Sequence, residues 1–162
     1  MSDPAKRPRR AAGPPPNAAR LREAALAHLA RFAATEAGLK RVLERRIARW
    51  ARAAEAEGQS REAIAQATAA LSGEIAGIAQ SLVAAGAVND AAFAESRARR
   101  LARSGHSRRA IAAHLAAKGI ESDTAVAALP EGEEAELLAA ITFCRRRRIG
   151  PFDAWPLMRQ RA

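Results

Sequence analysis

The sequence predicts an all-α protein built from tandem three-helix repeats, on three observations. Apolar residues recur three or four positions apart through most of the 162 residues. No segment shows the period-two alternation that is typical of a β-strand. The chain also resembles itself after a shift of 72 residues, which places Leu29 on Leu101 and Leu43 on Leu115.

The chain is expected to begin with a disordered tail and to continue with two amphipathic helices. Residues 1–17 are rich in proline and basic side chains and contain almost nothing to bury, which predicts a disordered basic tail. Two helices should follow, separated by a break near Thr35. Their predicted buried stripes are Leu21, Ala25, Leu29 and Phe32 in the first, and Leu39, Leu43, Ile47 and Trp50 in the second.

A third helix should start after Ser60, a plausible N-cap, and run towards Gly86, which is suited to a helix C-terminus. Gly73 and Gly77 lie inside it. Since glycine lowers helix propensity, we expect a kink or a close helix contact there.

The remaining helices are predicted from capping residues and helix breakers. Asn89 and Asp90 should supply capping oxygens for a helix that ends at Gly105, and Ser107 should cap the next one, which ends at Gly119. A short helix over residues 123–129 stops at Pro130. The last helix should begin in an acidic turn at residues 131–136 and end on four arginines, which complements the helix dipole.

The internal repeat sets the expected domain organisation. The shift aligns Thr35 with Ser107 and Leu39 with Ile111, so an apolar residue, a short break, a hydroxyl cap and apolar residues four apart occur twice. We therefore expect a first three-helix repeat over residues 18–88, with an extended connection at 48–61, and a second over residues 89–130. Residues 131–162 should form a partial third repeat.

The amino-acid composition indicates the class of partner and the cellular compartment. The formal net charge of +10 favours a polyanionic partner, although 24 of the 27 basic residues are arginine, a bias that a GC-rich genome also produces. The single cysteine, Cys144, fits a reducing compartment, and no run of about 18 apolar residues suggests a membrane span. The expected location is the cytoplasm.

The motifs of catalytic and cofactor-binding proteins are missing from the sequence. No phosphate-binding glycine loop occurs, and His28, His106 and His114 stand singly, without a second ligand at metal spacing. Cys144 is better explained as a small apolar residue than as a reactive thiol. We expect no enzymatic activity, no cofactor, no metal and no small-molecule substrate.

Residues 82–120 resemble the central repeat of the RecX family. The resemblance rests on an ordered set of residues spread over nearly forty positions. This set is Leu82, Gly86, Asn89, Asp90, Phe93, Ala94, Gly105, Leu115, Lys118, Gly119 and Ile120. Most of these side chains have structural roles, in capping, breaking or packing helices, so the motif identifies the family and not a binding site.

The resemblance implies a non-enzymatic regulator that binds the RecA recombinase filament on single-stranded DNA. Such a protein would modulate, and mostly inhibit, filament extension, strand exchange and co-protease activity. The implied architecture is an elongated, right-handed array of three-helix modules, and we expect a monomer. We also expect the third module to be truncated in this chain and therefore to bind the filament differently or more weakly.

The candidate residues for contacts with RecA or DNA are basic side chains, of which Arg97 and Arg100 flank the predicted apolar stripe and the other helix positions lie away from it. They are Arg97, Arg99, Arg100, Arg103, Arg108, Arg109, Lys118, Arg145, Arg146, Arg147 and Arg148. Two alternatives stay open: a sequence-independent nucleic-acid-binding protein without a RecA partner, and a helical scaffold whose charge reflects only codon usage.

Overall fold

The computed structural model describes residues 13–152, and this part of the chain is all-helical. The seven α-helices are α1 (Ala18–Leu29), α2 (Glu36–Ala56), α3 (Arg61–Ala84), α4 (Asp90–Arg103), α5 (Arg108–Ala117), α6 (Ser122–Ala127) and α7 (Glu133–Arg147). A short 3-10 helix, η1 (Gly150–Phe152), follows α7. The all-α prediction is confirmed. Most of the predicted basic tail, residues 1–12, and the last ten residues of the predicted third repeat lie outside the described residues.

The helices belong to two compact units. The described part of the first unit comprises residues 13–32 and Gly38–Ala87, and that of the second comprises Ala33–Ala37 and residues 88–152. In the first unit α1 packs against α3, and Arg22 of α1 donates a hydrogen bond to Ser81 of α3 over 2.8 Å. The buried side chains of α2 follow the predicted stripe: Leu39, Leu43, Ile47, Trp50 and Ala54.

The second unit has its own apolar core. Helices α4, α5 and α6 pack against one another, and α7 packs against α4. The core of α4–α6 consists of Ala94, Ala98, Ile111, Leu115, Ile120 and Ala125, with Phe93 and Leu101 half-buried against it. Burial of each of the three larger side chains, Ile111, Leu115 and Ile120, contributes on the order of 2 kcal/mol, so this small cluster is a substantial part of the unit's stability.

The predicted caps of the second repeat form as expected. The side chain of Asn89 accepts a hydrogen bond from the Ala92 amide over 2.9 Å, and Ser107 accepts one from Ala110 over 3.3 Å. Gly86 has φ +71° and ends α3, a backbone conformation that favours glycine. Asn17 caps α1 in the same way as Asn89 caps α4.

Asp90 does not cap its own helix, contrary to the prediction. Its carboxylate accepts a hydrogen bond from the amide of Glu36 over 2.9 Å, a residue 54 positions earlier in the chain. Because Glu36 is the first residue of α2, Asp90 satisfies an amide that has no partner within that helix and places a negative charge at its positive end.

Smaller expectations also differ from the structure. Phe32, predicted to lie on the buried stripe of the first helix, follows the end of α1 and is 53% exposed. Ser60 precedes α3, but its hydroxyl bonds the carboxylate of Glu62 and not a backbone amide. Helix α3 continues through Gly73 and Gly77, and a Cβ added at either would meet nothing within 4 Å, so the close helix contact, one of the two alternatives predicted there, is not formed. The short helix α6 ends at Ala127, two residues earlier than predicted.

Candidate binding surface

Most of the predicted basic residues are exposed. This group contains Arg99, Arg100, Arg103, Arg109, Lys118, Arg145, Arg146, Arg147 and Arg148, whereas Arg97 and Arg108 are half-buried. Arg99 lies 3.6 Å from Glu95 one turn earlier, and both side chains are more than half exposed. Since an exposed ion pair of this kind contributes little, Arg99 remains available for an anionic partner.

The structure brings the arginine run at the end of α7 next to the end of α4. Arg146 donates to the carbonyl oxygen of Ser104 over 3.1 Å, directly after Arg103. Arg147 lies over the Phe143 ring at 5.7 Å, and Arg145 lies over the Phe152 ring at 5.4 Å. These contacts orient the three guanidinium groups while the side chains stay exposed, so the ends of α4 and α7 form one positive surface.

Lys118 does not belong to that surface. It follows α5, whereas Arg109 lies in the first turn of the same helix. At about 1.5 Å rise per residue, Lys118 and Arg109 are about 14 Å apart along the axis of α5. Lys118 therefore lies at the opposite end of α5 from the turn that follows Arg103. The backbone oxygen of Lys118 accepts a hydrogen bond from the buried hydroxyl of Thr35 over 2.8 Å, which gives this residue a structural role.

Arg108 is held in a structural network. Its guanidinium donates to the carbonyl oxygen of Pro130, and its backbone amide donates to the carboxylate of Glu136 over 3.1 Å. The side chain therefore joins α5 to the segment that leads into α7. We expect its replacement to disturb the fold as well as any binding surface.

Arg97 is paired with His114. The Arg97 Nε donates to the His114 Nε2 over 3.0 Å, so the imidazole accepts and must be neutral at this nitrogen. Desolvation by burial, followed by the positive charges of Arg97, Lys118 and His106, lowers the pKa of His114 below its usual value of 6.5. The pair ties α4 to α5 and leaves Arg97 less available than its exposed neighbours.

A second basic surface, which the sequence analysis missed, lies on α2 in the first unit. Arg41, Arg45, Arg49 and Arg52 are all exposed. At 100° per residue they fall within about 80° of the helix circumference and span about 16 Å of its axis. We call these four residues the α2 arginine stripe. The spacing of four, four and three was a readable signal in the sequence.

The α2 arginine stripe lies opposite the buried side of its helix. The five buried residues of α2 lie on the far side of the helix, on average about 165° around the axis from the stripe. The acidic residues Glu44 and Glu55 fall outside the sector of the stripe. Biased codon usage explains an abundance of arginine but not its separation from acidic residues on one helix face.

A cleft of about 630 Å³ lies between the turn that joins α4 to α5 and helix α7. It is lined mainly by small and apolar groups, among them Ala139, Phe143 and Cys144. Gly105, which lines the cleft, lies close to α7, since an added Cβ there would lie 2.7 Å from the Phe143 nitrogen. Glu136, the acidic group in the lining, is already bonded to the Arg108 amide.

Within residues 13–152, no group of three or more His, Cys, Asp or Glu side chains is placed to hold a metal ion. None of the helices in the same range is long and apolar enough to cross a membrane.

These observations define an all-helical protein with two arginine-rich exposed faces. Residues 89–129 match the family model described as RecX, second three-helix domain. A regulatory protein RecX from Myxococcus xanthus is 35% identical over 142 residues, which cover 86% of this chain and 71% of that protein. A regulatory protein RecX from Agrobacterium fabrum is 44% identical over 66 residues, or 41% of this chain and 35% of that protein. No solved structure matches the chain.

The chain therefore belongs to the RecX family. The resemblance drawn from residues 82–120 is confirmed, and the matched region contains Asn89, whose capping bond is described above, and Phe93, which packs on the core of the second unit.

Proposed function

We propose that this protein binds the RecA filament on single-stranded DNA and modulates it, mostly by inhibiting filament extension, strand exchange and co-protease activity. The proposal rests on membership of the RecX family together with the exposed arginines at the ends of α4 and α7. Arginine suits this role because its guanidinium stays charged and pairs with both phosphates and carboxylates. The protein would act in the cytoplasm, without a cofactor, and hydrolysis of ATP would belong to RecA.

The domain organisation proposed for this function is three modules, at residues 18–88, 89–130 and 131–162. The α2 arginine stripe would serve the first module, and the ends of α4 and α7 would serve the second and third. Several weak contacts made by one chain raise the effective concentration of one another, so modest individual affinities suffice.

Binding by the two surfaces can be separated by paired substitutions. One variant carries Arg99→Gln and Arg103→Gln, a second carries Arg45→Gln and Arg49→Gln, and a control carries Arg31→Gln and Arg61→Gln, which are also exposed. Fluorescence anisotropy would measure binding to RecA filaments assembled on labelled single-stranded DNA. We expect each of the first two variants to weaken filament binding at least tenfold, and the control to change it less than twofold.

The α2 arginine stripe also favours a second candidate, a sequence-independent nucleic-acid-binding protein with no RecA partner. That function predicts equal affinity for naked DNA and for filaments, with a salt slope of about −0.7 per phosphate contact on single strands. The RecA-directed function predicts much tighter binding to filaments than to naked DNA at the same salt concentration. Equal affinities would reject the RecA proposal in favour of this candidate.

A further inference from the structure

Helix α7 packs against its own unit through small residues and leaves its large apolar residues exposed. Ala139 is only 5% exposed, and the backbone at Phe143 lies close enough to Gly105 that no Cβ fits between them. By contrast, Leu137 is 60% exposed, Leu138 57% and Ile141 36%. This is the reverse of an ordinary amphipathic surface helix, which buries its large apolar side chains.

The exposed residues of α7 form a narrow seam with a charge at each end. Glu134, Leu138, Ile141 and Arg145 follow one another at spacings of four, three and four, which is the heptad spacing of a coiled coil. We call these four residues the α7 seam. At 100° per residue it lies about 150° around the helix from the residues that face α4 and the Gly105 turn, so it stays available while α7 is packed.

From this pattern we infer that the α7 seam binds the α7 seam of a second copy of this chain, with the two helices antiparallel. A twofold axis between residues 139 and 140 would place Leu138 against Ile141 of the second copy, and Glu134 against Arg145 of the second copy. By symmetry each of these pairs occurs twice. The monomer expected from the sequence is thereby replaced by a dimer that forms at high concentration.

Charge complementarity selects a second copy as the occupant. The seam is acidic at its start and basic at its end, so an antiparallel copy brings opposite charges together at both ends, whereas a parallel copy would bring like charges together. A different partner would need an apolar surface with a positive charge opposite Glu134 and a negative charge opposite Arg145. The seam has only two large apolar residues per copy, with Leu137 beside them, so the interface is smaller than a standard one and the dimer is weak.

Sedimentation velocity of the full chain, from about 1 to 100 µM, tests the inference. We expect the mean mass to rise from monomer towards dimer across this range, as weak interfaces of this size do. Glu134→Arg and Arg145→Glu should each weaken the dimer about tenfold, because each places like charges together at both ends. The double variant E134R/R145E should restore dimerisation to within about fivefold of the unmodified chain, since the opposite charges meet again.

Glu95→Arg on α4 is the matched control, because Glu95 is an exposed acidic residue that pairs with Arg99 one turn away and lies outside the α7 seam. It should leave the dimer unchanged. Leu138→Gln offers a second test of the seam that does not alter charge, and circular dichroism checks that every variant is folded.

If the protein is still a monomer at 100 µM, the inference is overturned. The seam would then be covered by another part of the chain or by a different protein. A dimer that survives both single charge reversals and Leu138→Gln would overturn it as well, since association would then use another surface. The readout needs neither RecA nor DNA, so it is independent of the proposed function.

Discussion

The helix pairs α1–α2 and α4–α5 are related by the shift of 72 residues, and their differences show what the repeat fixes. The caps Asn17 and Asn89 coincide under the shift, as do the first residues of α2 and α5, Glu36 and Arg108. The third helices do not correspond: α3 has 24 residues and α6 has only 6. Local capping is therefore repeated, whereas helix length is not.

The same bond also recurs at equivalent positions. The Glu36 amide donates to the carboxylate of Asp90, and the Arg108 amide donates to the carboxylate of Glu136. Each acceptor belongs to the first turns of the helix that opens the following predicted repeat, α4 in one case and α7 in the other. A carboxylate from the next repeat thus satisfies the first amide of the second helix in both.

The length of a helix determines how many arginines can lie along one of its exposed faces. Helix α2 has 21 residues, enough for four arginines along one face, whereas α5 has 10. The second unit exposes its arginines at the ends of α4 and α7 instead. The two halves of the chain therefore present similar side chains by different means.

The largest effect should come from the equivalent leucines of the two cores. Leu43 and Leu115 are both fully buried and coincide under the shift. Replacing either by alanine should lower the free energy of unfolding by about 2–5 kcal/mol, from lost burial and the cavity left behind. Urea unfolding measures this loss. A cost below about 1 kcal/mol at one position only would break the equivalence of the two helix pairs.

Gly105→Ala tests the close approach of α7 to the second pair. The residue has φ +83°, and the new Cβ would lie 2.7 Å from the Phe143 nitrogen, so both backbone strain and a steric clash oppose it. We expect a loss of about 2–3 kcal/mol in urea unfolding. Gly86→Ala is the matched control, because φ is +71° there but nothing lies within 4 Å. It should cost only about 1 kcal/mol, and equal costs would contradict the close packing of α7.

Asp90→Ala and Glu136→Ala test the recurrent carboxylate bond. Each removes the acceptor of an amide at a helix start, so each should cost about 1 kcal/mol. The losses should be similar if the two bonds are equivalent. Glu133→Ala serves as the control, since Glu133 is an exposed acidic residue in the first turn of the same helix as Glu136. A cost for Glu133→Ala as large as that for Glu136→Ala would show that only the helix dipole matters.

The smallest expected effect is a pH dependence of stability, and it should arise only in the second helix pair, α4–α5. The pKa of His114 is lowered by burial and by Arg97, Lys118 and His106, so the folded state binds fewer protons than the unfolded state. The contribution of His114 to the free energy of unfolding should be fully present above pH 6.5, the ordinary pKa of histidine. It should decline as the pH falls below that value. His114→Gln should flatten this decline in urea unfolding at pH 5 and pH 8. His106→Gln is the comparison, and an unchanged profile for His114→Gln would refute the assignment.

Sequence reasoning was most successful where a feature depends on neighbouring residues. The caps at Asn89 and Ser107 and the turn at Gly86 follow from local hydrogen bonding and backbone preference, and all three were predicted. The bond from Glu36 to Asp90 joins residues 54 positions apart. No local pattern encodes such a contact, so Asp90 was predicted to cap its own helix.

The candidate surface was only partly predictable for the same reason. Exposure of Arg99 and Arg103 follows from helical periodicity, but the structural bonds of Arg108 depend on Pro130 and Glu136, which only the folded chain brings near. The α2 arginine stripe was readable from its spacing and was overlooked. The exposure of Leu137 and Leu138 could not be predicted, because apolar spacing does not tell which side of α7 meets its neighbour.

The central claim is that this protein regulates RecA, and a strand-exchange titration tests it most directly. RecA from the same organism would be assembled on single-stranded DNA, and product formation would be followed as this protein is added. We expect strand exchange to fall as the protein approaches stoichiometric amounts, with a smaller fall for the variant carrying Arg99→Gln and Arg103→Gln. Unchanged strand exchange at stoichiometric amounts of correctly folded protein would contradict the claim.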